Sequence, residues 1–295
     1  MIAVALVCIL WGTTWMASKV GVRYMPALQL SGLRHLIGGG IYVLYFGLFR
    51  RMWPQKNQYW QIIWMSFIMF VLSNGLSVLS IVYMPSGLGA VIGAITPIWV
   101  VLFSYLLFKR IHFKKMTILG ILLGFIGVVI TFYDFVENIM SSDFSLGILY
   151  GVIASMTWAL ATLLTVKHAK KMDPYFSLGW QMFMSGIILN IYSYASGDFV
   201  DYSLLHADAW LSILYLVLIG SVIAFGAYIY ALKRLPATLV SIHSYVNPIV
   251  AVIIGDWLMH EPLTPFIIMG TLVTLIGVYL VNRSFRRKIR FRPTS

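Results

Sequence analysis

The chain has 295 residues, of which 60% are hydrophobic and 10% charged, with a mean hydropathy of +0.89. Soluble domains carry about a quarter charged residues, so this composition excludes one and describes an integral membrane protein. The formal net charge of +12 would suit a polyanion only if the basic residues shared a solvated face with stacking aromatics. They sit in short gaps between apolar runs, and no nucleic-acid partner is expected.

A helix crossing the hydrocarbon core needs about 20 apolar residues. Ten such runs are placed at 2–20, 27–49, 59–83, 87–108, 116–133, 146–166, 175–196, 208–231, 236–258 and 265–282. Ile2 opens the first at once, with no basic stretch before it, so that run is read as a membrane helix and not a signal peptide. The runs are continuous and too long for barrel strands, which alternate over about ten residues. Cys8 is the only cysteine, which excludes an intrachain disulfide.

Eighteen of the 21 basic residues fall on one side of this layout: Arg50, Arg51, Lys56, Lys109, Arg110, Lys114, Lys115, Lys167, Lys170, Lys171, Lys233, Arg234 and the tail from Arg283 to Arg292. By the positive-inside rule that side is cytoplasmic, with both termini, in a cytoplasmic (inner) membrane. Asp134, Glu137, Asp143, Asp198, Asp201, Asp208 and Glu261 fall on the other side.

The halves echo each other. Pro85 and Pro97 recur 151 residues on as Pro236 and Pro248, and Gly120 and Gly127 recur 150 on as Gly270 and Gly277. Pro26, Arg34 and Gly38 are matched by Pro174, Met182 and Gly186 with equal spacing. Because each half holds an odd number of helices, the second enters the membrane upside down. The expected fold is an all-α integral membrane protein of ten transmembrane helices in two inverted five-helix repeats, 1–138 and 139–295.

The motif WGTTW at Trp11–Trp15, Arg34, the mid-helix Pro97 and Pro248, the turn GDWLMHE from Gly255 to Glu261, and Gly270 with Gly277 resemble the EamA family of the drug/metabolite transporter superfamily. The likeness covers nearly the whole chain. It implies a ten-helix, inverted-repeat secondary transporter, often an exporter of amino acids or other small metabolites. The first half departs from the pattern, with Lys109 and Arg110 where the second has His260 and Glu261, which suggests the Glu is not needed symmetrically and weakens any transport role for it. In that family Arg34 matches a recurrent position, read as structural.

Proline removes a helical N–H, so Pro97 and Pro248 should free the carbonyls of Gly93 and Ser244 at mid-membrane. Such a break is either a recognition and gating point or a plain kink satisfied by a neighbouring hydroxyl. Thr96 flanks one break, and His243, Tyr245 and Asn247 the other. His243 is an intramembrane ionisable group, a ligand or proton shuttle on one reading and a packed neutral ring on the other. Further lining candidates are Trp11, Thr14 and Trp15, Asn74, Ser77 and Tyr83, Trp158 and Thr162, and Ser221, Tyr228 and Tyr230. Trp11, Trp15 and Ser18 share a helix face, as do Trp158, Thr162 and Thr165. Lys19 is read as an interfacial lysine or as a charge at a cavity mouth. Trp53, Tyr59, Trp60 and Trp64 fit an aromatic belt.

Of nine acidic residues only Asp256 falls inside an expected helix, near its outer end, with Asp208 at the first position of another. A neutral, zwitterionic or weakly anionic solute is therefore expected, moved by facilitation or with a proton through His243. The alternative is a channel or facilitator for a small neutral solute, ahead of an intramembrane enzyme or a membrane receptor. No HExxH, Cys/His cluster or paired buried acid occurs, so no catalytic residue, metal or cofactor is expected. The glycine faces of the fifth and tenth helices suit packing within the chain or a homodimer.

Overall fold

The computed structural model describes residues 2–108, 115–136, 141–168, 172–235, 240 and 243–289. Among them the regular structure is helical, with no strand. In chain order the helical rods are α1 (Ile2–Gly21), α2 (Ala27–Phe49), α3 (Lys56–Tyr83), α4 (Ser86–Phe108), α5 (Lys115–Thr131), α6 (Ser142–His168), α7 (Pro174–Ala195), α8 (Ala207–Arg234), α9 (His243–Met259) and α10 (Pro265–Ile289). Six of them, α1, α2, α3, α4, α6 and α8, are long and apolar enough to cross a membrane. Pro236, Ser241, Lys109, Arg110, Glu137, the boundary at 138/139, Arg290 and Arg292 lie outside the described residues.

Pairs of helices lie along each other: α2 with α7, α5 with α10, α4 with α9. Around them α1 packs on α9 and α8, and α6 on α4 and α3. The α5–α10 seam is made by glycines, because a Cβ on Gly277 would come within 2.3 Å of the Gly124 nitrogen and one on Gly270 within 2.3 Å of the Thr131 nitrogen. Only backbones without side chains approach that closely. This places the glycine faces against each other inside one chain.

The outer surface is apolar where lipid would lie: Leu122, Val129, Ile191, Leu211 and Ile253 are all exposed. Such a continuous apolar surface is incompatible with water and natural in a bilayer. Trp53, Tyr59, Trp60 and Trp64 stand exposed at one end of the bundle, and Trp257 at the other.

The two ends differ in charge. At one, Phe46, Ile62, Met172 and Phe176 join the α2–α3 and α7 ends, beside Lys233, which pairs with Asp173 at 3.2 Å. At the other, the Tyr24 hydroxyl donates to Asp208 at 3.0 Å and Gln29 donates to the Val200 carbonyl at 2.7 Å, tying the α1–α2 turn to the α7–α8 connection.

Two departures from the sequence expectation concern regularity. The fourth run is split, Ser86–Ala94 and Thr96–Phe108, with the break at Ile95. Pro97 has no N–H to offer Gly93, and the Thr96 hydroxyl donates to that carbonyl instead, at 2.7 Å. The freed carbonyl of the first half is thus satisfied within its own helix. Second, α3 and α8 each change to π-helix midway, over Phe67–Gly75 and Leu216–Ile223. Widened turns of this kind gather at functional sites because they redirect side chains.

Candidate functional site

Apolar periodicity alone would leave the centre of the bundle packed, but small residues open it. Gly89 and Gly93 on α4 give Trp15 a place to lie, since a Cβ at these positions would meet its ring at 2.9 and 3.3 Å. Beside them a cavity of about 150 Å³ opens between α1, α2, α3, α4, α6, α8 and α9. A buried water needs about 10–15 Å³ by the same measure, so this space holds several waters or one small solute.

Nine of the fifteen expected lining residues border it: Trp11, Thr14, Trp15, Asn74, Ser77, Thr96, Trp158, His243 and Asn247, with Pro248, which stands inside the continuous helix α9 where a break was expected. Trp11 is the hub of the wall. Its indole N–H donates to the Gly220 carbonyl at 3.3 Å, and its ring meets Trp158 and His243 edge-on, at 5.6 and 5.1 Å. These edge-to-face contacts hold the rings rigid.

Asn247 ties α9 to α1. With its amide NH₂ turned toward α1 it donates to the Cys8 carbonyl at 2.8 Å and to the His243 carbonyl at 3.0 Å, an orientation chosen by the hydrogen bonds it completes. His243 Nδ1 lies 3.5 Å from the same amide. Asn247 is thus both wall and strut.

The remaining candidates sit elsewhere. Thr162 and Tyr228 border a separate, smaller space with Thr165, next to Gln181 and Met65. The stripe Trp158, Thr162, Thr165 therefore divides between two cavities, whereas Trp11, Trp15 and Ser18 stay together on one. Tyr245 points away from the cavity and donates to the Val278 carbonyl at 2.9 Å on α10. Tyr83 packs by Tyr150, with ring centroids 6.2 Å apart. Pro97 lies just past the lining residue Thr96, at the break it causes. Tyr230 is exposed, with the Arg234 guanidinium 3.7 Å over its ring. Lys19 is neither free nor at a mouth: its ammonium donates to the carbonyls of Ile81 and, at 3.0 Å, Met84, closing the end of α3.

Sequence reasoning read Arg34 as structural and did not count Ser73, Ser155 or Ser244 among the lining side chains, yet all four line the cavity. Arg34 is 6% exposed, and its Nε donates to the Ser221 hydroxyl at 2.9 Å. Ser221 belongs to the π-segment of α8. In the corresponding segment of α3, Asn74 donates back to Met69 at 2.9 Å and Ser73 to the Ala154 carbonyl at 3.0 Å. The signal that could have found these residues is the polar pair Ser73–Asn74 and the Gly220–Ser221 step inside otherwise apolar runs.

A multi-pass helical membrane protein with an aromatic and polar cavity between its interrupted helices is what the fold and this geometry define. A model of the EamA-like transporter family matches residues 1–133 and again 145–283, and the chain belongs to that family. A small-molecule solute and the lipid bilayer are accordingly its partners.

The chain is 26% identical over 290 residues to the uncharacterized transporter YoaV of Bacillus subtilis, covering 98% of each chain. It is also 26% identical over 275 residues to the uncharacterized inner membrane transporter YedA of Escherichia coli K12, covering 93% of this chain and 87% of that one. A crystal structure with 16% identity superposes with a TM-score of 0.70 over 97% of both chains, which speaks to the fold.

Proposed function

We propose that the protein is a secondary transporter, working as an exporter of small metabolites such as amino acids, and that it moves them through the central cavity by alternating access. The observation that carries the reading is the cavity itself, walled by helices of both halves at the points where α3, α4 and α8 depart from regular α-helix. Interrupted helices around a midplane site recur in transporters, because breaks give polar backbone to the solute and hinges to the scaffold.

The ten rods are taken as ten spans in two inverted repeats, 1–138 and 139–295. Support comes from the two matches of one family model. The packing agrees: adding five to each helix number turns α1 on α9 into α6 on α4, and α3 on α6 into α8 on α1, pairs that are all in contact. The basic end is taken as cytoplasmic, with both termini, in the cytoplasmic membrane, as the positive-inside rule requires.

Purified protein in proteoliposomes preloaded with an amino-acid mixture should show saturable counterflow of labelled solute. Ala variants of His243 and Asn247 should lower it. Non-saturable flux would mean a channel, and unchanged counterflow in both variants would take these two residues out of the site.

A further inference from the structure

Arg34 is a charge held where no charge should be left alone. It is 94% shielded, from its 6% exposure, and the residues lining the cavity beside it include no Asp or Glu among those described. Among the described residues its one hydrogen bond runs from Nε to a neutral hydroxyl, Ser221. The two Nη nitrogens have no hydrogen-bond partner among the described residues. Gly220 keeps room for them, since a Cβ there would meet Nη2 at 3.1 Å and the Thr14 methyl at 2.9 Å. An unpaired guanidinium in a low-dielectric interior is unfavourable until an anion joins it. Its two Nη groups present the fork that a carboxylate fits with two parallel hydrogen bonds.

No carboxylate among the described residues lining the cavity faces the opposite charge. The break at Gly93, which could have held an ammonium, has its carbonyl taken by Thr96. The Lys19 ammonium is occupied at the end of α3, so it does not compete for the anion.

We infer that the cavity binds an organic monocarboxylate with an uncharged apolar body, its carboxylate on the Arg34 Nη pair and its body against Trp15 and Trp158. This rests on the transporter reading and narrows it. Solutes carrying the carboxylate alone bind best, zwitterionic amino acids more weakly because no carboxylate among the described lining residues pairs with their ammonium, and amines and amides least.

The test uses two matched series on detergent-purified protein, read by ligand-dependent thermal unfolding. One is 3-phenylpropanoate, phenylalanine, 2-phenylethylamine and 3-phenylpropanamide; the other is butanoate, 2-aminobutanoate, butylamine and butanamide. The expected result is that at least one of the two acids raises the unfolding temperature of wild type more than its amino acid, and that its amine and amide do not raise it. Arg34→Lys, which keeps the charge but loses the fork, should weaken the acid about tenfold, and Arg34→Gln should abolish its effect. No stabilisation by either acid, equal stabilisation by amine or amide, or an acid effect that survives in Arg34→Gln would overturn the inference. Because the wild-type panel decides by itself, misfolding of Arg34→Gln does not blunt the test. Acid binding without counterflow in vesicles would remove the transporter reading and keep the Arg34 site. Counterflow of amines or amides that ignores Arg34 would do the reverse.

Discussion

The Glu261 carboxylate, just past the end of α9, caps the N-terminus of α4: it accepts from the Ser86 backbone N–H at 2.7 Å, the Ser86 hydroxyl at 2.9 Å and the Gly87 N–H at 3.1 Å. The GDWLMHE turn exists to deliver it. His260 takes a left-handed φ of 52°, which folds the chain back so that Glu261 N–H donates to the Gly255 carbonyl at 3.1 Å. Gly255 leaves room for it, since a Cβ would come within 2.6 Å of the carboxylate and push it off its place. A negative charge on the exposed N–H groups of a helix start is the favourable polarity. In the first half Arg110 stands at the matching place in sequence and carries the wrong charge for this role.

Glu261→Ala therefore strands two backbone donors at the α4 start. It is expected to cost roughly 1–3 kcal/mol, and Gly255→Ala should cost a similar amount by displacing the same carboxylate. Denaturant unfolding in detergent micelles measures both. His260→Gly should be neutral or stabilising, as it relieves the left-handed strain while leaving the cap intact.

How much of this was legible differs by residue. The helical rods could be read because apolar length is a demand of the bilayer and needs no tertiary knowledge. The Trp11, Trp15, Ser18 face could be read too, because helical spacing fixes it and all three residues border one cavity. Spacing failed for Thr162, which shares a face with Trp158 but lies far enough along α6 to reach the second space by Gln181. Arg34 was taken as structural from the family resemblance, its position in the helix fitting either an outward snorkel or a polar interior; the opening beside Gly220 and the π-turn of α8 goes with its place at the cavity. A one-residue widening leaves little trace in apolar sequence, so those turns were not visible.

The α5–α10 seam offers a contrast between two kinds of glycine. Gly277→Ala pushes a methyl into the Gly124 backbone at 2.3 Å, and should destabilise by about 1–3 kcal/mol through forced separation of the helices. Gly197 has a φ of 76° and open space around its Cβ position. There Ala is expected to cost about 1 kcal/mol through backbone strain alone. Thermal unfolding of the two variants under one detergent condition separates packing from conformation.

Trp15 depends on Gly89 in the same steric sense, but at the site. A Cβ on Gly89 would sit 2.9 Å from the indole and 2.8 Å from Ile81 Cγ2, so Gly89→Ala must shift the ring that floors the cavity. Counterflow should fall at least about tenfold, the cost of roughly 1.4 kcal/mol in site geometry, while the variant stays monodisperse. Full activity would mean that Trp15 does not shape the solute's place.

The last prediction concerns the break in α4. Thr96→Val removes the hydroxyl that satisfies the Gly93 carbonyl and should cost about 1 kcal/mol. Pro97→Ala supplies the missing N–H instead, allowing the helix to close through Ile95, and should raise stability. If the break is a hinge for alternating access, that gain comes with slower counterflow, because the rigid α4 no longer bends between its two halves. Measured together, a more stable but slower Pro97→Ala variant supports the hinge. A variant that gains stability with undiminished counterflow would reduce the break to a kink that only opens room for the cavity.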